Sequence, residues 1–147
     1  MFSFLLLEPS YRDEKRAMSK NGNQAQPPVT VLVVDDDPAV RNSLKFSLEL
    51  EGFAVRIYPD GRALLDDTHL PAGACLVVDQ VMPEMSGLDV VDTLRHRGVL
   101  IPTVLITSGV SAKLRRRATA AGVMVVEKPF FGNGLVDAIR ELLAQIL

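Results

Sequence analysis

From Val29 onward the chain alternates short β-branched and apolar runs with longer segments whose apolar residues recur every three to four positions. That rhythm limits the fold to parallel strands joined by helical crossovers, because successive strands can run the same way only if a dozen or so residues carry the chain back across the sheet. The expected class is therefore α/β, a five-stranded parallel sheet with five helices on both its faces. The length of 147 residues corresponds to one domain at roughly 100–200 residues each, which puts any output module on another polypeptide or outside this sequence. An apolar content of 48% with 23% charged residues fits an ordinary globular domain rather than a disordered, collagen-like or coiled-coil chain.

The strands are expected at Val29–Val34, Phe53–Tyr58, Ala74–Val78, Pro102–Thr107 and Val123–Glu127. The first is apolar without alternation, as a central strand covered on both faces must be. The second alternates Phe53, Val55 and Ile57 with Ala54 and Arg56, the pattern of an edge strand. Asp37 and Pro38 open the first helix as cap and first residue, with Val40, Leu44 and Leu48 as its stripe, Phe46 and Leu50 widening it, and Gly52 as its stop. A short helix is expected over Arg62–Asp67. Ser86 and Asp89 have the spacing of a capping box ahead of Leu88, Val91 and Leu94, a fourth helix spans about Ser111–Ala121, and Leu135, Val136, Ile139, Leu142, Leu143 and Ile146 form the inner face of the last.

Residues 1–28 read as a disordered or weakly ordered leader, and 29–147 as the folded domain. The run Phe2–Leu7 has no basic residue before it and Glu8 directly after it, so it is too short and too charged at its border for an export signal or a membrane span. A polar stretch, Ser19–Pro28, follows Met18, itself a plausible start. Alternatively, residues 4–16 form a short helix that docks its apolar end on a neighbour. Sixteen basic against 18 acidic residues, a net charge of −2, give no general attraction to nucleic acid or membrane. One cysteine, Cys75, with His69 and His96 far apart, provides neither a disulfide nor a zinc site and points to a reduced cytoplasmic setting. Cys75 is expected to fill the core inside the third strand.

Open parallel sheets hold ligands beyond the carboxyl ends of their strands. Asp35 and Asp36 end the first strand, Asp79 the third, Thr107 with Ser108 the fourth, and Lys128 the fifth, so one rim gathers acids, a hydroxyl and a cation. Three carboxylates crowded there repel by about 1 kcal/mol per pair at 4 Å in water and about fourfold more at a protein-like dielectric. A divalent cation relieves that repulsion. The acidic run is three residues long, which leaves the register open by one, and helix capping alone accounts for Asp37.

The stretches Val33-Val34-Asp35-Asp36-Asp37, Val78-Asp79-Gln80-Val81-Met82-Pro83-Glu84-Met85-Ser86-Gly87, Leu105-Ile106-Thr107-Ser108 and Glu127-Lys128-Pro129-Phe130 resemble, in order, the signatures of the receiver domain of two-component response regulators. The resemblance runs from about Val29 to the C-terminus. It implies a flavodoxin-like sheet in the order 2-1-3-4-5, a phosphoryl-accepting aspartate, a Mg²⁺ ion and a histidine kinase or phosphotransfer protein as donor. It further implies a domain that assists its own phosphorylation and dephosphorylation rather than turning over a separate substrate.

By that resemblance Asp79 is the phosphoacceptor, Asp36 and Asp79 are direct metal ligands, Asp35 acts mainly through water, and the main-chain carbonyl of Val81 completes the set. Lys128 would neutralise phosphoryl charge, aimed by a cis peptide at Pro129, and Thr107 would hydrogen-bond the phosphoryl group while small Ser108 keeps the entrance open. Taken singly, each has a plainer reading: a turn aspartate, a surface lysine, a threonine favoured by strand propensity. Two departures stand out. Val125 occupies the place of a switch aromatic, and the stretch from Gly122 to Lys128 is one residue shorter than usual. Lys113, Arg115, Arg116 and Arg117 lie within five positions on the fourth helix, either as a solvated face or as a contact surface for a second receiver or a downstream output protein. No aromatic residue interleaves them, so direct nucleic-acid binding is not expected.

Two other classes compete. A haloacid-dehalogenase-type phosphohydrolase would use Asp35, Asp37, Thr107 and Lys128, but it needs a later acidic pair for its metal, and only Asp137 and Glu141 follow. A pseudo-receiver would keep the fold as a protein-binding module without the chemistry.

Overall fold

The computed structural model describes residues 27–128 and 133–146. The leader up to residue 26 and the peptide bond at Pro129 lie outside the described residues. The chain runs β1 (Thr30–Val34), α1 (Pro38–Leu50), β2 (Ala54–Tyr58), α2 (Gly61–Asp66), β3 (Cys75–Asp79), α3 (Gly87–His96), β4 (Thr103–Thr107), α4 (Ala112–Ala120), β5 (Met124–Glu127) and α5 (Gly134–Ala144). All pairings are parallel, and the sheet order is β2-β1-β3-β4-β5. The expected topology is therefore the observed one, and β2 is indeed an edge.

The unbroken apolar runs of β1, β3 and β4 follow from a two-sided core. Alternate residues point to opposite faces. Leu32, Val34, Leu76, Val78 and Leu105 join the α2, α3 and α4 side, whereas Val31, Val33, Cys75, Val77, Val104 and Ile106 join the α1 and α5 side. Each fully buried aliphatic side chain contributes roughly 1.5–3 kcal/mol of transfer free energy, which makes these three strands the rigid frame for whatever stands at their carboxyl ends. Cys75 is part of that frame, and burial pushes its thiol up to about 12.

The helix starts are set locally. Asp37 Oδ1 accepts the Ala39 N–H at 2.9 Å with Pro38 at the first helical position, and Ser86 and Asp89 complete the reciprocal capping box of α3. One expectation fails on α1. Phe46 and Leu50 are 65% and 70% exposed and do not widen its buried stripe. Each stands two residues, or about 200°, from a buried leucine, Leu44 or Leu48, and so lies on the far side of the helix. Ile146 likewise lies beyond the end of α5 and is 58% exposed. Among the described residues no helix is long and apolar enough to cross a membrane.

Candidate functional site

Asp35, directly after β1, and Asp79, the last residue of β3, are buried; Asp36 is exposed. One carboxylate oxygen from each lies within 4.8 Å of the other two. Asp37, engaged in capping α1, is not in the group. Lys128, one residue past β5, reaches across from the other half of the sheet. Its Nζ stands 3.4 Å from Asp79 Oδ2 and 3.8 Å from Asp35 Oδ2, and its own N–H donates to the Thr107 carbonyl at 2.8 Å, extending the ladder that aims it.

Among the described residues three carboxylates face one ammonium, and Asp35 Oδ2 is buried with no hydrogen-bond partner. An unsatisfied buried oxygen costs about 1–3 kcal/mol or more for a charged group, so a further positive charge would be stabilised there. The donors are carboxylate oxygens without sulfur or imidazole, a set that suits a hard cation such as Mg²⁺.

Burial, then the negative charge of Asp35, holds the Asp79 carboxyl above the usual carboxylate range, while Lys128 and the Val81 N–H, 3.4 Å from Oδ1, pull it back. At pH below the ordinary carboxylate value this acid is protonated in folded and unfolded chains alike and has no effect. As pH rises through the ordinary carboxylate value toward the raised folded one, the unfolded chain ionises more readily and the folded state loses stability. In chelator, Asp79→Asn is thus expected to raise the melting temperature at pH 7 and to leave it unchanged near pH 3. Thermal melts at the two pH values check this; a lower melting point at pH 7 would contradict it.

Thr107 is buried at the end of β4, and its Oγ1 is tied twice to Gly109, donating to the carbonyl at 2.9 Å and accepting the N–H at 3.3 Å. Thr107 and Val81 share a shallow depression of about 260 Å³ with Lys113 and Arg117. Arg115 and Arg116 line a different depression, with Thr119. The basic run is therefore divided between two depressions rather than gathered into one patch. Ser108 is exposed beside Thr107, and Val125 is half-buried against the core cluster that holds Leu105 and Ala118.

Three structural contributors had no role in the sequence reading. Gly87 approaches β3 so closely that a Cβ there would stand 2.7 Å from the Asp79 carbonyl oxygen and 2.7 Å from Leu105 Cδ1. Gln80 holds the start of α3, its carbonyl accepting from Gly87 N–H at 3.1 Å and its Oε1 from Leu88 N–H at 3.0 Å. Glu84 sits at φ 68° inside a tight turn closed by Met85 N–H to Pro83 O at 2.7 Å, a conformation that stores roughly 1–3 kcal/mol in the loop after the acceptor. Gly87 stood within the recognisable motif; the other two left no signal distinct from ordinary loop residues.

The sequence matches the family described as Response regulator receiver domain over residues 31–140. The chain belongs to that family. Response regulator MprA of Mycolicibacterium vanbaalenii is 38% identical over 117 residues, covering 79% of this chain and 51% of that protein. Transcriptional regulatory protein FixJ of Rhizobium meliloti is 35% identical over 112 residues, 76% of this chain and 55% of that protein. This receiver thus spans about half the length of the curated relatives it matches. The crystal structure of FixJ-N superposes with a TM-score of 0.75 at 32% identity, over 83% of this chain and 98% of that one. Vibrio cholerae chemotaxis protein CheY4, at 24% identity and a TM-score of 0.72 over 78% and 98% of the two chains, shares the fold.

Proposed function

We propose that this receiver accepts a phosphoryl group on Asp79, with Mg²⁺ held by Asp35, Asp36 and Asp79 together with the Val81 carbonyl, and passes the change to a protein-interaction surface. The supporting observation is a buried carboxylate flanked on one side by two further acids and on the other by Lys128 at 3.4 Å. The metal supplies positive charge to the phosphoryl oxygens during transfer. An Asp79 carboxylate oxygen attacks phosphorus in line, the P–N bond of a phosphohistidine donor breaks, and the imidazole keeps the electron pair and takes up a proton from solvent. Lys128 lies close enough to share the added charge. The donor in this reading is a histidine kinase or phosphotransfer protein in the cytoplasm, and the chain does not turn over a separate substrate. The test is intact mass after incubation with Mg²⁺ and a small acyl-phosphate donor: a gain of a single phosphoryl group, labile in base.

The signal should leave through α4. Thr107 is tied to Gly109 in the segment that leads into α4, whereas Val125 on β5 offers no ring to swing when Thr107 moves. A ligand shifts an equilibrium only by its differential interaction with the two states, so α4 must differ between them. With a phosphoryl mimic at Asp79, amide hydrogen exchange is expected to change over 108–120 and little over 123–127. Changes confined to β5 and α5 would contradict this route.

A further inference from the structure

We infer that the apolar groove at the pole of the fold opposite Asp79 is the seat of this chain's own segment Phe2–Leu7. The groove has a volume of about 600 Å³ and is walled by Val29, Leu70, Pro71, Leu100, Pro102 and Ile146, among others. Val29 precedes β1 and Pro102 precedes β4, which places the groove at the amino ends of the strands, whereas the acids and Lys128 stand at their carboxyl ends. Every described residue that lines it is apolar or glycine. Leu100 and Ile146 on its rim are 77% and 58% exposed, an apolar concavity of the kind that marks a binding groove. Its volume falls in the range, roughly 300–1,000 Å³, of pockets that enclose one drug-sized molecule; it holds a few side chains, not an opposing domain.

The occupant is identified by its tether and its chemistry. Val29 forms part of the wall, so the preceding chain departs from the groove itself. Phe2, Phe4, Leu5, Leu6 and Leu7 are the concentrated apolar residues of that preceding chain, and the 21 residues from Glu8 to Pro28 join them to Val29. A coil of that length has a root-mean-square span of about 25 Å, enough to return to its own origin at an effective concentration on the order of millimolar. Charge agrees as well. The first charged residue after the apolar run is Glu8, and the adjoining depression, which shares Leu100, Pro102 and Ile146, carries Arg95. One Arg95 N–H is bound to the Ala121 carbonyl at 2.7 Å, and a guanidinium has five.

The test compares the full chain with one beginning at Met18. Removing Met1–Ala17 is expected to lower the melting temperature by several degrees, raise the fluorescence of 1-anilinonaphthalene-8-sulfonate several-fold, and speed amide exchange over 99–102 and 143–146 by tenfold or more. Mg²⁺ affinity and the rate of phosphorylation stay unchanged, since the groove and Asp79 occupy opposite poles. In the full chain, Leu6→Asp and Leu100→Asp should each reproduce the change in exchange, and Leu100→Asp added to the truncated chain should add little. Leu100 is mostly exposed, so that variant keeps its fold. Equal exchange and melting in the full and truncated chains would overturn the inference. So would a concentration-dependent dimer of the full chain broken by Leu100→Asp, which would assign the groove to a second copy, or a large loss of phosphorylation on truncation, which would place the segment at the other pole.

Discussion

Asp79→Asn is expected to abolish the acquisition of a phosphoryl group from a small acyl-phosphate donor in Mg²⁺, leaving no base-labile mass increase above background. The variant keeps a side chain of the same size in the same buried place and removes only the attacking oxygen charge, so a well-formed and inert domain is the outcome. Asp36→Asn should behave differently. It removes one of three ligand charges without removing the acceptor, so Mg²⁺ affinity falls by roughly an order of magnitude or more, about 1.4 kcal/mol per tenfold, and phosphorylation recovers at saturating metal. Intact mass across a Mg²⁺ titration separates the two. Should Asp79→Asn still be phosphorylated while Asp35→Asn is not, the nucleophile is Asp35 and the hydrolase assignment replaces this one; Asp137, which that chemistry would need near the metal, is an exposed residue of α5 and stands outside the acidic group.

Gly87→Ala is expected to be the most damaging single-methyl substitution near the site. Its Cβ would press on a backbone atom, the Asp79 carbonyl oxygen, which cannot rotate away as a side-chain terminus can. Overpacking of this kind costs roughly 1–3 kcal/mol, several degrees of melting temperature in a chain of this length. The strain falls on the residue that carries the acceptor, so the phosphorylation rate should drop as well. Gly134→Ala is the control: a Cβ there meets nothing among the described residues within 4 Å, the residue opens α5, and alanine is the better helix former. Thermal melts of the two variants, with Gly134→Ala at or slightly above the parent, check the argument; a neutral Gly87→Ala would show that α3 can retreat from β3 without cost.

Much of this was legible in the sequence because it is written in local pattern. The apolar runs of β1, β3 and β4, the caps at Asp37 and Ser86, and the acids at strand ends each depend on residues within one element and its border. Placing Lys128 beside Asp79 needed only the rule that parallel strands end on one rim. What escaped notice depends on contacts between elements. Leu50 looks like Leu48 until α1 is laid on its sheet and only one side of it is covered. Lys113 and Arg115 look alike until the helix turns one toward Thr107 and the other away. The closeness of Gly87 to β3 and the double tie between Thr107 and Gly109 are properties of packed backbone, for which a one-dimensional pattern holds no record.

The Thr107 tie has a consequence for how sharply this receiver switches. A threonine hydroxyl owns one proton, and in the structure that proton is engaged by the Gly109 carbonyl. If Asp79 is phosphorylated as proposed, a phosphoryl oxygen would offer a charged acceptor for the same proton, roughly twice as strong as a neutral one. The two bonds are mutually exclusive. Were Thr107 to give that proton to a phosphoryl group, the Gly109 carbonyl would lose its donor while the Gly109 N–H could still reach Oγ1, so occupancy of the acid and release of that carbonyl would be counted by the same hydrogen atom.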